Sequence, residues 1–464
     1  VLCDEFRTDV EPMDSGDDSA YRKIHDRFIR KRVENLGKEP VKRKGYIQPC
    51  GAEDNDTDAA KETSYFENIR EAIEKLHENH HVIDKRTKKR ISFGVVRMAN
   101  ITPCVKVSLY LMKCGWSEGT AVRVMTYHSR QILLLRHEQE RYLDKVLTRK
   151  TRSATVDFQD ETVRKHLDST PEENIIFILV ATPVEEVGRD HDFDWAVVEP
   201  SSYRSIIQLA GRVLRHRQPV SGTLEKKNMA IMAYNLKAWQ GKEPAYSKPG
   251  YETEKRKLNS YDMHDLVDEE ELSRRIDAVP RILKPEMLDK EQFCPDDKRY
   301  FSKLSDLEHA SMMDFNCKGD CGPQCMHGWM EEYWWMTALP QGRFRENYGE
   351  EIKACAVYEE GVRKFLVYEG KEKTLLSDSV GITDYSGMTE GMEGRLWLIR
   401  DYEAALRRYV SDTSDVPQDV QMNEISCRYG EITIPYGRSS TVDEWKYSDQ
   451  LGMFKLTEEN RQEG

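Results

Sequence analysis

Residues 175–180, Ile-Ile-Phe-Ile-Leu-Val, form an unbroken apolar run. Such a run suits a β-strand covered on both faces, as in a parallel sheet flanked by helices. Ala181-Thr182-Pro183 ends it, with Thr182 placed to cap the turn after it, and a second short strand is expected at Trp195 to Val198. After Glu199-Pro200, Ser201 and Ser202 are N-cap candidates for a helix running to about His216, which Pro219 ends. On that helix Gln208, Arg212 and Arg215 stand at i, i+4 and i+7 and share one side. Ile206, Leu209, Ala210, Val213 and Leu214 supply the apolar remainder, and Gly211 allows a neighbour to approach closely. A row of one amide and two guanidiniums suits phosphate, because the planar fork stays charged and binds two oxygens at once. The plainer reading of that row, taken alone, is a solvated basic face.

The alternation of strand and helix begins well upstream. Phe66, Ile69, Ile73 and Leu76 repeat at helical spacing, and Ile91 to Met98 reads as a strand. Thr102 and Pro103 open a helix ending near Lys113. Val122 to Tyr127 is the next strand, followed by His128-Ser129-Arg130 and a helix through about Leu147. Residues 148–173 are polar and read as irregular, and a last strand is expected near Met229 to Tyr234. The product is an α/β fold, a doubly wound lobe with a mainly parallel sheet, whose ligands collect at the carboxyl ends of the strands. The expected organisation is a connector over 1–65, the lobe over 66–239, a linker with a helix over 240–300, and a smaller mixed α+β C-terminal domain over 301–464. In the linker, Asp262 to Leu283 reads as helical. In the last domain, Ala354 to Glu369 reads as a hairpin around Glu359-Glu360-Gly361, and Leu396, Ile399, Leu406 and Val410 mark a helix.

Q-L-A-G-R-V-L-R at 208–215 resembles the sixth motif of superfamily 2 helicases, whose general form is His/Gln-Arg-x-Gly-Arg-x-x-Arg. V-A-T-P-V-E-E-V-G-R-D at 180–190 resembles their fifth motif, at the expected short distance upstream. Gly94 to Asn100 falls where the family places its fourth. Leu209 stands where many relatives carry arginine, so no phosphate role passes to it. Within the superfamily, E-V-G-R-D-H-D-F-D-W followed by Q-L-A-G-R-V-L-R-H-R is similar to the CRISPR-associated helicase–nuclease of type I systems, nearest the I-F (YPEST) subtype.

The resemblance implies a second RecA-like lobe, with residues 1–65 as the tail of a first lobe. A triphosphate would sit between the two lobes. Arg215 would be the arginine finger, Arg212 the γ-phosphate contact, and Gln208 would orient nucleotide or attacking water. Asp190 would meet the ribose, Gly188 and Gly211 would keep the backbone close, and Thr182, Arg97 and Asn100 would contact DNA phosphates. The cofactors implied are ATP with Mg, shared with the first lobe, and a divalent metal in a separate nuclease domain. The partners implied are single-stranded DNA, an RNA-guided CRISPR surveillance complex, and the first lobe and nuclease domain of the same protein. Two alternatives stay open: another superfamily 2 DNA or RNA helicase, and a catalytically inactive RecA-like scaffold.

The remaining composition narrows this picture. A net charge of −12 argues against a surface coated for nucleic acid, though a basic channel within an acidic body is compatible with it. No run is long enough to span a bilayer and no signal peptide is evident, and the ten scattered cysteines read as reduced thiols, so the expected location is the cytoplasm. The chain begins with Val1 and lacks any G-x-x-x-x-G-K-S/T loop, so it reads as the C-terminal half of a longer protein and Asp4 is not taken as a Walker B residue. His25-Asp26, His191-Asp192 and His264-Asp265 spell the nuclease dipeptide without the companions such a metal site needs. Cys317, Cys321, Cys325 and His327 have spacings that a zinc site allows, but a reduced cysteine-bearing loop is the preferred reading.

Overall fold

Six strands rich in Ile, Val, Phe and Met form one parallel sheet: β1 (Gly45–Gln48), β2 (Arg90–Arg97), β3 (Thr120–Tyr127), β4 (Asn174–Ala181), β5 (Trp195–Val198) and β6 (Met229–Met232). Their spatial order is β3-β4-β2-β5-β6-β1, and every pairing is parallel. Two short strands, Val82–Asp84 and Thr155–Val156, extend the sheet beside the start of β2. The structure, a computed structural model, describes residues 2–3, 10–11, 18–51, 57–150, 153–219, 222–283, 298–317, 350–359, 361–369, 372–375, 382–411, 415–436 and 445–455. The apolar run lies inside the sheet as β4, between β3 and β2, with the last seven residues of the strand buried, which explains why it shows no alternation. Gly45 to Gln48, in the stretch read as connector, is the edge strand beyond β6.

The longer helices of this part are α1 (Asp18–Lys38), α2 (Asp58–His80), α3 (Ile101–Lys113), α4 (Leu133–Leu147), α5 (Glu161–Ser169) and α6 (Tyr203–Ala210). Thr57 caps α2 by accepting from the Ala60 amide, and Phe66, Ile69, Ile73 and Leu76 are all buried on its inner face. The N-cap of α3 is Asn100, two residues before the expected Thr102, and its last residue is Lys113 as expected. Helix α5 lies inside the stretch read as irregular. Asp160 caps it by accepting from the amides of Thr162 and Val163, and Val163 and Leu167 form its short buried stripe.

Beyond the sheet the chain keeps building on the same core. Ala245, Tyr246, Met263 and Leu266 of the expected linker are buried against the lobe, as are Phe301, Leu304 and Leu307. Asp262 to Leu283 is not one helix but three short ones, Met263–Leu266, Glu269–Arg274 and Val279–Ile282. Each of the first two starts at its own aspartate cap, Asp262 and Asp268, which divides the segment.

The last part has a core of its own. Strands β7 (Glu350–Glu359) and β8 (Val362–Glu369) pair antiparallel as the expected hairpin, with Gly361 at φ +77° in the turn. Glu372–Leu375 pairs with β8 and Glu431–Tyr436 with β7. The helix expected from Leu396 to Val410 is only Tyr402–Arg407. Residues 395–397 instead lie along the free edge of β3: the Val124 amide donates to the Arg395 carbonyl at 2.8 Å, and the Trp397 amide to the Val124 carbonyl at 3.0 Å. Backbone groups committed to that edge cannot also close a helical turn. Of the zinc candidates, Cys317 ends the helix Leu304–Cys317, and Cys321, Cys325 and His327 lie outside the described residues, as does Asp4.

Candidate functional site

The carboxyl ends of β2, β4 and β5 deliver three loops to one place, and buried charges tie them together. Arg97, the last residue of β2, is 1% exposed. Its Nε donates to Glu186 Oε1 at 2.7 Å, Nη1 to the Glu199 carbonyl at 2.8 Å and Nη2 to Ser201 Oγ at 2.7 Å. Glu199 in turn accepts the amides of Ala99 at 2.6 Å and Leu236 at 2.9 Å. Burial raises the Glu199 pKa, against the pull of those amides and of Arg97. Arg97, expected from the fourth motif to contact DNA, is enclosed in this structure, with each of its three nitrogens engaged inside. Thr182 is buried too. Its amide donates to the Tyr127 carbonyl, and its side chain makes no capping bond to the short turn Pro183–Glu185. Asn100 lies nearer the surface, with Nδ2 2.9 Å from the Lys248 carbonyl.

Helix α6 starts where the sequence places it. Ser202 is its N-cap, with Oγ accepting from the Ser205 amide at 3.0 Å. Its end is a correction: the helix stops at Ala210, six residues before the expected His216. After Gly211 the chain runs beside Phe193, whose amide donates to the Arg212 carbonyl and whose carbonyl accepts from Leu214. Leu214 takes φ +45°, which no right-handed helix accommodates. Gln208 therefore stays on the helix, while Arg212 and Arg215 project from the segment after it.

The two arginines differ sharply in surroundings. Arg212 is 8% exposed, and its Nη2 donates to the Glu186 carbonyl at 2.9 Å, so it pins the loop that follows β4. The side chain of Arg215 is 37% exposed; its Nε lies 2.5 Å from Oδ1 of Asp190, whose own side chain is 54% exposed. His216 Nε2 lies 2.9 Å from the same oxygen. Burial would raise the Asp190 pKa, but Arg215 and His216 hold it below the usual carboxylate range. Gly188 takes φ +71° at the tip of the loop. Gln208, Gly188, Asp190, Gly211, Arg212 and Arg215 thus share one corner of the carboxyl edge.

Arg217, to which the sequence analysis gives no role, anchors that corner. It is buried, with Nη2 2.7 Å from Asp192 Oδ1 and Nη1 2.8 Å from Asp194 Oδ1. Asp194 also accepts from Arg149 at 2.9 Å and from the Phe93 amide at 2.8 Å. Burial opposes charge on both partners, yet the pairing raises the Arg217 pKa and lowers that of Asp194. The D-F-D triplet at 192–194 was the available signal, since two carboxylates on alternate residues of a buried turn need cations. Both ring nitrogens of His191 face carboxylates: Nδ1 lies 2.6 Å from Glu185 Oε1 and Nε2 3.0 Å from Asp144 Oδ1. Among the described residues, no group of three or more His, Cys, Asp and Glu is placed to hold a metal ion.

Residues 90–218, from β2 through the arginine segment, match the family model for "CRISPR-associated nuclease/helicase Cas3, C-terminal". The chain is 35% identical over 387 residues to the CRISPR-associated nuclease/helicase Cas3 subtype I-F/YPEST of Pseudomonas aeruginosa, covering 82% of this chain and 33% of that protein. It is 37% identical over 289 residues to the protein of the same description from Pectobacterium atrosepticum, covering 61% and 26%. The chain thus spans about a third or less of the curated relatives it matches. A crystal structure of T. fusca Cas3-ADP aligns over 90% of this chain and 43% of its own length, with 11% identity and a TM-score of 0.36.

Proposed function

We propose that this chain, a relative of the Cas3 nuclease/helicases, supplies the arginine side of an ATP cleft in a DNA translocase of type I-F CRISPR interference. The intact protein would move along single-stranded DNA at an RNA-guided surveillance complex and degrade it through a separate metal-dependent nuclease domain. The observation that carries the reading is Arg215, a half-exposed guanidinium at the carboxyl edge whose carboxylate partner among the described residues, Asp190, is itself exposed. An exposed pair of this kind is worth roughly 0–1 kcal/mol, so a phosphate oxygen can replace Asp190 at little cost. The donor set at this corner is cationic and amide in character, which suits the triphosphate and not Mg. The Mg ligands, and the P-loop that cradles the phosphates, are assigned to a first lobe.

On this reading Arg215 moves onto the γ-phosphoryl group as charge develops there, and Asp190, once released, is free to accept from the ribose. Gln208, fixed on α6, orients the nucleotide or the attacking water. Arg212 holds the loop from the Glu186 carbonyl and reaches the γ-phosphate as the lobes close. Gly188 and Gly211 keep backbone close to the nucleotide. Of Thr182, Arg97 and Asn100, Asn100 is the least buried and so the first candidate for a DNA phosphate, and such backbone contacts make movement largely independent of base sequence.

The test is DNA-stimulated ATP hydrolysis by the intact protein, wild type against Arg215→Ala. The expected loss is about a hundredfold or more, the low end for a transition-state arginine. Equal rates in the two proteins would remove Arg215 from the cleft.

A further inference from the structure

Helix α4 belongs to two cores at once. Ile132 just before it, with Leu134 and Leu135 of its first turn, is buried among the apolar side chains of the C-terminal domain, including Phe365, Tyr402 and Ile432. Leu143 and Leu147, two turns on, are buried in the core of the lobe. Its polar residues divide the same way. Gln139 accepts from Arg400 of the C-terminal domain, and Glu138 accepts from Arg408 at 2.5 Å. From the next turns, Glu140 pairs with Arg189 at 2.5 Å and Asp144 with His191 at 3.0 Å, and the Leu147 carbonyl accepts the Asp192 amide at 3.0 Å. Arg189, His191 and Asp192 flank Asp190 at the candidate site.

Arg400 is the unusual member. It is buried, and its hydrogen bonds go to Gln139 Oε1 and the Gln450 carbonyl, with no carboxylate among them in the described residues. Its Nε is buried without an acceptor. A guanidinium held by neutral oxygens in the interior is costly to keep, and it tolerates one geometry of the joint. Gln139 passes that geometry on: its Nε2 donates to the Thr126 carbonyl at 2.9 Å, at the end of β3.

We propose that Arg400 and Gln139 are positioning residues, and that through α4 the C-terminal domain sets the placement of the loop at 183–192. A shift of the 400–450 joint moves α4, and α4 carries Arg189, His191 and Asp192 with it. The inference stands on these contacts and does not require that the loop bind a nucleotide.

Amide hydrogen exchange on the whole chain tests it, comparing wild type, Arg400→Ala and Arg400→Lys. The amides of Glu185, Glu186 and Asp192 are hydrogen-bonded and report on the loop. In Arg400→Ala they are expected to exchange at least about fivefold faster, the effect of one lost buried bond, with β2 and β4 unchanged. Arg400→Lys, which restores a cation to the same oxygens, is expected to return most of the protection. Faster exchange confined to 396–402 and 448–453 would overturn the proposal, and so would an equal loss across the sheet, which is general destabilisation. Removing a buried guanidinium can unfold the chain, so exposed Arg408→Ala is the second variant. A rise of about twofold in the same loop amides supports the lever, and no rise there counts against it.

Discussion

The imidazole of His128 is fully buried where the loop after β3 meets the C-terminal domain. Its Nδ1 accepts the Arg130 amide at 3.1 Å, so Nε2 carries the proton and donates to the Leu451 carbonyl at 2.7 Å. A second proton on Nδ1 would face that amide. Burial first, and then Arg130, Arg400 and Arg136, push its pKa down to about 3, against the help of the Leu451 carbonyl. His77, between Ser92 and Asn174, is pushed down to about 4, also chiefly by burial. Both folded values lie below the ordinary 6.5, so on acidification the unfolded chain takes up protons that the folded chain refuses. Their contribution to stability is complete above pH 6.5 and is lost progressively toward pH 3–4. The urea midpoint should therefore fall between about pH 7 and 4.5, and the His128 ring should show no NMR titration above about pH 4. A His128 titration near 6.5 would mean that the loop is open to water.

Strands β2 and β5 meet closely at Gly94. Gly94 pairs in register with Trp195, and a Cβ built on Gly94 would lie 2.1 Å from the indole ring. The ring cannot turn aside, because its Nε1 donates to Ser92 Oγ at 3.0 Å and the residue is fully buried. Gly94→Ala is expected to cost about 1–3 kcal/mol or more by overpacking, read from chemical unfolding. Combined with Trp195→Leu, the loss should be smaller than the sum of the single losses, since the second change removes what the methyl strikes. Full additivity would show that the two residues do not meet. Helix α6 teaches the complementary lesson: its start depends on Ser202, three residues from the amide it caps, whereas its end depends on Phe193.

At the scale of the molecule, the C-terminal domain closes the edge of the sheet. Trp397 is buried against Phe93 and Phe177, with ring centroids 5.5 and 5.2 Å apart, and its Nε1 donates to Tyr142 Oη at 3.1 Å. The backbone beside it covers β3, an edge that would otherwise offer unpaired groups to another chain. Trp397→Ala should cost about 3–5 kcal/mol. It should also make the protein self-associate with rising concentration, which light scattering would show. A variant that stays monodisperse with native stability would mean that the 395–397 segment is not what holds the two parts together.

Patterns confined to a few neighbouring residues were legible in the sequence. The run at 175–180, the strand at Trp195 to Val198, the stripe of α2, the Ser202 cap and the antiparallel pairing of the 354–369 hairpin all occur as read, because periodicity and capping act within about four residues. So were the two motifs at 180–190 and 208–215, which lie inside the stretch that matches the Cas3 family model. The destination of each charge was not legible. Arg97 finds Glu186 89 residues away, Arg217 finds Asp192 25 residues away, and Arg400 finds Gln139 261 residues away. A guanidinium reads the same in a list of residues whether it faces water or is buried. Only the folded chain decides which carboxylate or carbonyl reaches it, and with that whether the arginine holds the site together or remains free to act in it.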